Sequence, residues 1–307
     1  MDIIGKKNWF FILSGIVIIP GLISFFLFGM RLSIDFTGGS RMELGAKNAK
    51  SINQQKIENV FKQNSVKIHT YNYVNADTIS IRSDTIEQKK REKIVKEIKN
   101  ISSSINEKSF DTVGPTIGKE TEQNALKAVL IASVAITLYI AFAFRSVSRP
   151  VASWKFGVCA VAALLHDVLV VVGVFSILGK VFGVEIDALF ITALLTVMGF
   201  SVHDTIVVFD RIRENLKKNY NEGFDKLVNN SVMETFNRSL NTSLTVVIVL
   251  FTLLLFGGES IRWFIVALLV GIISGTYSSI FNASPLLVIW YEFDKRRKQN
   301  PKFKIKK

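Results

Sequence analysis

A carboxylate lies inside a stretch of this chain that otherwise has the composition of a membrane-spanning helix. Asp204 stands in the segment GFSVHDTIVVFDRIREN, residues 199–215, which closes an apolar run that begins near Ala188. An ionisable side chain is costly in hydrocarbon, so it must face a protein interior or a wet cavity and find a partner there. The alternative is a carboxylate that snorkels from a helix end. We interpret Asp204 as a functional group whose partner has to be found elsewhere in the chain.

Counting residues nominates that partner. Ala188 to Asp204 is 16 steps, or about 24 Å at about 1.5 Å per residue in a hydrocarbon core about 30 Å thick. The apolar run from Ser243 to Phe256 has only 14 residues, too few to cross that core. Extending it backward to about 19 residues brings Arg238 to nearly the depth of Asp204. Arg238 is therefore the predicted partner, with snorkelling at the interface as the alternative.

Such a pair can couple a proton to a conformational change. Opposite charge favours ionised Asp204 and desolvation opposes it, so a change in separation can move the carboxylate between its charged and neutral forms. His203 is adjacent but about 100° around the helix, so it ranks below the pair as a possible relay. His166 and Asp167, near the centre of another apolar run, either relay protons or hydrogen-bond neighbouring helices. Both interpretations of His166 and Asp167 stay open.

Several bilayer spans must position these side chains, and the composition predicts them. The 307 residues are 49% hydrophobic and include 24 Phe, with a mean hydropathy of +0.33, which is too apolar for an ordinary soluble domain. The predicted spans are 9–29, 125–144, 156–178, 188 to about 210, about 238–256, and 263–290.

The polar stretch between the first two spans predicts a folded domain. Residues 31–122 hold 16 basic and 12 acidic side chains, and the hydrophobic period alternates between that of strands and that of helices. The predicted strands are 41–44, 66–74, 78–81 and 108–113, and the predicted helices are 51–63 and 85–103. Their order, βαββαβ, is the ferredoxin-like pattern. The predicted fold class is a polytopic α-helical membrane protein of six transmembrane helices with a ferredoxin-like α+β extracytoplasmic domain.

Glycines mark three further positions. Two short motifs, at 34–39 and 113–118, bracket the polar domain where the chain meets the membrane. Their notable residues are Asp35, Gly38, Gly39, Gly114, Pro115 and Gly118. Turn chemistry explains each motif alone, because Gly reaches positive φ and Pro fixes its own φ, but two motifs at the ends of one domain are less easily accidental. In the last span, Gly271 and Gly275 predict a small-residue face for close helix packing, which we expect to support a partner subunit.

Basic residues predict the orientation. Of 38 Lys and Arg residues, 19 lie on the side of the N-terminus, 2 in the short loops opposite, 16 in the polar domain and one, Lys127, at the edge of a span. The positive-inside rule places both termini in the cytoplasm. The net charge of +13 is therefore explained by Lys and Arg residues that flank the spans on the cytoplasmic side of the lipid bilayer. It does not indicate binding to nucleic acid.

The predicted organisation has four parts. They are a cytoplasmic N-terminus and first span at 1–30, the outer domain at 31–122, a bundle of five spans at 123–291 with a cytoplasmic amphipathic segment at 214–237, and a basic cytoplasmic tail at 292–307. The amphipathic segment carries apolar residues at helical spacing and is predicted to form an interfacial helix. No nucleophile triad, metal-spaced His/Cys cluster or phosphate-cradling glycine loop is found in the sequence, so we predict no catalytic site, metal or cofactor.

The outer domain, the five further spans and the motifs at 34–39, 113–118, 199–215 and 237–243 together resemble the SecF family, membrane subunits of the bacterial protein-export machinery. The resemblance covers nearly the whole chain, and its most specific piece is 199–215. His203 is a departure, because such proteins usually have Asn before the membrane aspartate.

The resemblance implies a six-helix half of an RND-type bundle in the bacterial cytoplasmic membrane. It implies pairing with SecD and action with the SecYEG channel, so that preproteins are drawn outward at the expense of the proton gradient. Carried over residue by residue, the proton-linked aspartate is Asp204 and the arginine is Arg238.

Two other classes of function compete with export. A proton-driven small-molecule or lipid exporter of the same superfamily usually holds two repeats in one chain, whereas this chain has a single set of six spans. A non-transporting scaffold would use the outer domain as a binding module and would tolerate neutral replacement of Asp204.

Overall fold

Most of the chain is helical. In chain order, the strands of a small sheet come after the first long helix and before the second. The computed structural model describes residues 2–46, 49, 52–102, 104–145, 151–218 and 223–299. In chain order the elements are α1 (Lys7–Phe28), α2 (Ile34–Thr37), β1 (Gly39–Gly45), α3 (Gln54–Gln63), β2 (Ile68–Asn75), β3 (Thr78–Ser83), α4 (Gln88–Ile101), β4 (Asn106–Val113), α5 (Pro115–Ala143), α6 (Ser153–Phe182), α7 (Ala188–Lys218), α8 (Phe224–Phe256), α9 (Arg262–Ser278), a π-helical turn (Ser279–Ala283) and α10 (Ser284–Gln299).

These elements form two units. The helical unit comprises Met1–Arg31, Ala128–Val184 and Leu189–Lys307, and the sheet-containing unit comprises Leu32–Lys127 with Glu185–Ala188. Six helices of the described residues are long and apolar enough to cross a membrane: α1, α5, α6, α7, α8 and the run Glu259–Arg297. The prediction of six spans is therefore confirmed.

Two of the spans are the later parts of helices that begin well before them. The second, predicted from residue 125, is the later part of α5, which begins at Pro115; proline suits a first helical turn because its missing N–H would have no helical partner there. The fifth is the later part of α8, which begins at Phe224. The separate interfacial helix predicted within 214–237 is wrong, because 214–218 ends α7 and 224–237 is the first half of α8; residues 219–222 lie outside the described residues.

The apolar residues of that segment pack inside the helical unit. Phe224, Leu227, Val228 and Val232 are buried in one cluster with residues of α6, α7 and α10. The ring of Phe224 contacts that of Tyr291 at 4.4 Å between centroids. An amphipathic period is the same whether the apolar face meets a bilayer or a protein core, so only the tertiary structure could distinguish them.

Helices α1 and α6 cross backbone to backbone. A Cβ built on Gly21 would lie 2.7 Å from the Cα of Gly173, and one on Gly173 would lie 2.8 Å from the Cα of Gly21. Both contacts are shorter than the van der Waals distance, so the crossing requires glycine on each helix. This is the small-residue packing that membrane helices use in place of a hydrophobic drive.

The sheet-containing unit has the predicted ferredoxin-like order. Its four strands are arranged β2-β3-β1-β4 and the pairs are antiparallel. Helices α3 and α4 supply apolar residues to the same core as the strands, among them Ile57, Phe61 and Ile94. The predicted strands and helices all occur with ends shifted by a few residues; Ser51 and Ser103, at the ends of two predicted helices, lie outside the described residues.

The two glycine motifs meet inside this unit. Gly38 and Gly39 have positive φ angles of 72° and 112°, a region that glycine enters without steric cost. A Cβ on Gly38 would lie 2.8 Å from the Cα of Pro115, and one on Gly118 would lie 2.7 Å from the backbone nitrogen of Gly38. The motifs thus fit against each other, whereas a Cβ on Gly114 would meet nothing within 4 Å.

Asp35 of the first motif binds a helix end. Its Oδ2 accepts a hydrogen bond of 3.0 Å from the backbone nitrogen of Ala188. Ala188 is the first residue of α7. A carboxylate at a helix N-terminus satisfies a free N–H and interacts favourably with the helix dipole. The neighbouring Ile186 carbonyl accepts from the Ser33 nitrogen at 2.9 Å, so segment 185–188 is held by the sheet-containing unit.

Candidate functional site

Asp204 is buried on α7, with its two oxygens in different surroundings. The side chain is 7% exposed. Oδ1 accepts a hydrogen bond of 2.6 Å from the hydroxyl of Ser239 on α8. Oδ2 is buried and has no hydrogen-bond partner among the described residues. A bare carboxylate oxygen in the interior is costly, because it lacks both water and a donor.

Arg238 lies one position before Ser239 on α8 and forms no ion pair with Asp204 among the described residues. It is exposed in the isolated chain, yet its charge is within electrostatic range of Asp204. His203 is also exposed and within that range. Neighbouring residues on a helix are about 100° apart, so Ser239 and Arg238 offer Asp204 a neutral and a charged partner on adjacent faces of α8.

Asp167 on α6 is the centre of a second polar cluster. It is 0% exposed. Its Oδ2 accepts from the hydroxyls of Ser201 on α7, at 2.5 Å, and Ser278 on α9, at 2.7 Å. Its Oδ1 accepts from Ser274 of α9 at 2.8 Å and bonds Nδ1 of His166 at 3.0 Å. The predicted His166–Asp167 pair on α6 thus contacts both α7 and α9 through Asp167.

His166 continues this cluster to α1. Its Nε2 lies 3.0 Å from the hydroxyl of Ser14, which also accepts a hydrogen bond of 2.9 Å from Nδ2 of Asn282. With Nδ1 protonated, the imidazole donates to Asp167 and accepts from Ser14. Tyr277 lies beside this group and donates to the Phe10 carbonyl at 2.6 Å. Both imidazole nitrogens are therefore occupied.

The π-helical turn lies at the same level. Its first residue, Ser279, bonds the hydroxyl of Thr205 at 2.8 Å and donates to the Ser201 carbonyl at 3.3 Å. Turns of this kind occur often at functional sites. Ser279 therefore contacts α7 on both sides of Asp204 in sequence.

Gly271 and Gly275 face into the chain. A Cβ on Gly271 would lie 2.2 Å from a methyl of Val197, and one on Gly275 would lie 3.0 Å from the Cβ of Ser201. Both neighbours belong to α7, and the expectation that this face supports a partner subunit stays a prediction. The close packing itself is present, but it brings α9 onto the helix that carries Asp204.

Sequence reasoning missed several members of the site. Ser239, Ser201, Thr205 and Ser14 have no charge and single serines are common in membrane helices, so their types alone carried no signal. The run of Ser274, Ser278 and Ser279 beside Gly275 was the available indication of a polar helix face. Within the described residues no group of three or more His, Cys, Asp or Glu side chains has metal-binding geometry.

Comparison with known proteins identifies the family. The model for the protein export membrane proteins SecD/SecF, C-terminal, matches residues 93–293, and the SecD/SecF GG motif model matches residues 23–50. The first covers the site helices up to α10, and the second includes Asp35, Gly38 and Gly39. Asp204, Arg238, His166 and Asp167 thus lie inside a segment that a family model recognises, whereas Ser14 on α1 lies before both segments.

Curated relatives agree. The chain is 47% identical over 307 residues to protein translocase subunit SecF of Thermobaculum terrenum, covering 96% of this chain and 95% of that protein. It is 44% identical over 292 residues to SecF of Anaerolinea thermophila, covering 94% of each. Against protein translocase subunit SecDF of Bacillus subtilis it is 36% identical over 294 residues, covering 94% of this chain and 38% of that one.

Solved structures show the same fold. The crystal structure of SecDF, a translocon-associated membrane protein from Thermus thermophilus, superposes with a TM-score of 0.79 and 32% identity. The superposition covers 95% of this chain and 39% of that chain, so this chain spans a part of the fused protein. A SecDF structure in a super-membrane-facing form gives a TM-score of 0.69 at 31% identity. This chain belongs to the SecF family of protein translocase subunits.

Proposed function

We propose that this chain is an auxiliary subunit of the bacterial protein-export machinery that uses the proton motive force to promote preprotein translocation through SecYEG. The curated relatives are named translocase subunits, which supports an accessory role without enzymatic chemistry of its own. The names of these relatives also favour a role in protein export over a role in the export of small molecules or lipids.

SecD is the proposed partner for the other half of the bundle. The Bacillus subtilis SecDF chain matches this one over 38% of its length, so relatives exist in which a SecF-like half is fused to a longer partner. Exposed polar side chains on the spanning helices, including His203 and Arg238, support a protein neighbour, because lipid would leave them without partners.

The observation that carries the proton proposal is the unpaired Oδ2 of Asp204. Ser239 supplies a single neutral donor to the other oxygen, and the described residues supply none to Oδ2. A protonated Asp204 would carry its hydrogen on Oδ2 and accept from Ser239 on Oδ1. We propose that the arrangement in this structure suits the protonated form.

The ionised form would use Arg238. Rotation of α8, or reorientation of the Arg238 side chain, would replace the neutral hydroxyl of Ser239 with a guanidinium and so favour the carboxylate. Loss and uptake of a proton would then alternate with two positions of α8 against α7. A proton crossing the membrane potential releases about 2.3 kcal/mol per 100 mV, which suffices to bias states that differ by a few kcal/mol.

The orientation follows the predicted one. We propose a multi-pass protein of the bacterial cytoplasmic membrane with both termini in the cytoplasm and the ferredoxin-like domain outside. The 19-to-2 excess of basic residues supports it. Half of the basic tail, 300–307, lies outside the described residues. His203 stays a candidate relay beside the pair.

Preprotein translocation into inverted membrane vesicles, with and without an uncoupler, tests the proposal. Asp204→Asn keeps the size of the side chain but cannot ionise, so it should abolish the uncoupler-sensitive fraction while expression and SecD co-purification stay normal. Arg238→Met should do the same, because it removes the cation for the ionised form. Asp225→Asn, an exposed carboxylate in the first turn of α8, is the matched control and should behave as the unaltered protein.

Full uncoupler-sensitive stimulation by the Asp204→Asn protein would end the proton proposal. It would favour the scaffold, in which buried charges are structural.

A further inference from the structure

Asp167 is a saturated acceptor. Its oxygens accept from three serine hydroxyls and bond one imidazole nitrogen, two contacts to each oxygen. A carboxylate offers about four lone-pair sites, so uptake of a proton would displace one of these partners. A protonated Asp167 would therefore give up part of the set of bonds that joins α6 to α7 and α9. The geometry therefore favours a fixed anchor at Asp167 over a proton relay.

The hydroxyl donors come from two other helices. Ser201 ties Asp167 to α7, and Ser274 and Ser278 tie it to α9. Gly275 lies between those two serines, and a Cβ there would come within 3.0 Å of Ser201 and 3.6 Å of Asp167 Oδ2. The missing side chain lets α9 approach closely enough for these bonds.

Ser201 is three residues before Asp204, about one helical turn along the same side of α7. The Ser279 hydroxyl holds the Ser201 carbonyl and the Thr205 hydroxyl. The turn that contains Asp204 is thus fastened to α6 and to the start of the π-helical turn, while Asp204 itself reaches α8.

We infer that Asp167 is a positioning residue for Asp204: through Ser201, and through the serines of α9, it fixes the turn of α7 that presents Asp204 to α8. This inference rests on the proposed proton coupling at Asp204. Asp167 does not bind the transferred proton. Its hydrogen bonds fix the position of α7, which carries the proton-binding residue Asp204.

The charged or titratable groups within electrostatic range of Asp204 are His203 on α7 and Arg238 on α8. The neighbouring cluster, joined to α7 through Ser201, holds His166 and Asp167 on α6. Removing a charge at Asp167 would act on Asp204 electrostatically as well as through position. The informative change is therefore Ser201→Ala, which cuts the link to α7 and leaves every charge in place.

The first measurement is modification of Asp204 by a hydrophobic carbodiimide, which reacts with protonated carboxyls. The full chain with SecD is labelled in native membranes over a range of pH, and mass spectrometry of the digested protein separates Asp204 from Asp167. With the link cut, α7 is free to carry Asp204 away from Ser239. The position against the neutral Ser239, which suits the protonated form that the reagent attacks, is then less populated, so we expect Asp204 to be modified about threefold to tenfold more slowly at neutral pH, the range given by loss of one hydrogen bond.

A second variant and a control accompany it. Ser278→Ala removes another donor to Oδ2 of Asp167. It should change the rate of Asp204 modification in the same direction as Ser201→Ala, with a smaller effect. Ser176→Ala removes a buried interhelical hydroxyl of α6 that bonds Ser24 at 2.9 Å, outside the cluster, and should leave the rate unchanged. The pH profile of uncoupler-sensitive translocation should shift in Ser201→Ala and not in Ser176→Ala.

Two results would overturn the positioning role: an unchanged Asp204 rate in both Ser201→Ala and Ser278→Ala, or carbodiimide modification of Asp167 itself in the unaltered protein, which would make it a titrating relay. Asp204 labelling needs no export activity. If it responds to Ser201→Ala while Asp204→Asn leaves export coupled, the positioning role stands and the proposed proton function fails.

Discussion

Asp204 and Ser239 are joined across α7 and α8 by a hydrogen bond of 2.6 Å, and Arg238 lies next to Ser239 without reaching Asp204 as an ion pair. The pairing predicted from residue counts thus has a neutral residue in the place of the cation. Because the two α8 residues are adjacent, a rotation of about 100° around the helix separates the neutral partner from the charged one.

Ser239→Ala tests the neutral partner. Loss of one hydrogen bond to the buried carboxylate costs about 1 to 3 kcal/mol, so the uncoupler-sensitive fraction of translocation should fall several-fold without vanishing. Ser243→Ala is the matched control, since Ser243 lies about one turn further along α8 and bonds Thr276 at 2.5 Å. Equal losses in the two variants would show that any buried hydroxyl of α8 matters and would remove the special role of Ser239.

Gly118→Ala tests the contact between the two glycine motifs. Alanine is normally better than glycine in a helix by about 1 kcal/mol, but here its Cβ would lie 2.7 Å from the Gly38 nitrogen. We expect a net destabilisation of about 1 to 3 kcal/mol from overpacking. Limited proteolysis of the full chain, scored at the 32–127 segment, should show earlier cleavage.

Gly114→Ala is the control for that experiment, because its Cβ would meet nothing within 4 Å. If Gly118→Ala resists proteolysis as well as Gly114→Ala does, the two motifs do not depend on close contact.

Gly173→Ala tests the crossing of α1 and α6. The added methyl would strike the backbone of Gly21, which cannot rotate away as a side chain can, so the helices must separate at an overpacking cost of about 1 to 3 kcal/mol. Cys159, the single cysteine of the chain, is buried on α6 and reports unfolding through a thiol-reactive dye. The apparent melting temperature should fall. Gly199→Ala, on α7 with open space around it, should not lower it.

Cysteines placed singly at Lys90 and Lys218, in a Cys159→Ala background, test the orientation. Both lysines are exposed, on α4 and at the end of α7. A membrane-impermeant reagent applied to intact cells should label only the first, because the proposed orientation has α4 outside and the end of α7 in the cytoplasm. Equal labelling at both positions would contradict the proposed topology.

Local patterns were sufficient for much of the architecture. The six spans follow from the length and hydropathy of apolar runs, and the βαββαβ order follows from periodicity, because both signals are written in neighbouring residues. Asp204 was identified in the same way, since a charge within an apolar run is unusual whatever surrounds it. The predicted ends of helices were less accurate. No helix-breaking residue separates Phe224 from the fifth span, so α8 is continuous, although the change from polar to apolar composition suggested two segments.

Contacts between helices were decided only by the tertiary structure. The sequence shows that Gly275 is small but not which helix it faces, and the face expected to support a partner subunit meets Ser201 of the same chain. It shows Arg238 and Ser239 side by side, but a rotation of about 100° per residue decides which of them meets Asp204. It shows Asp167 beside His166 but not the serines of α7 and α9 that surround it. Such choices depend on the rotation and depth of whole helices, which packing over their full length sets and which no short stretch of sequence encodes.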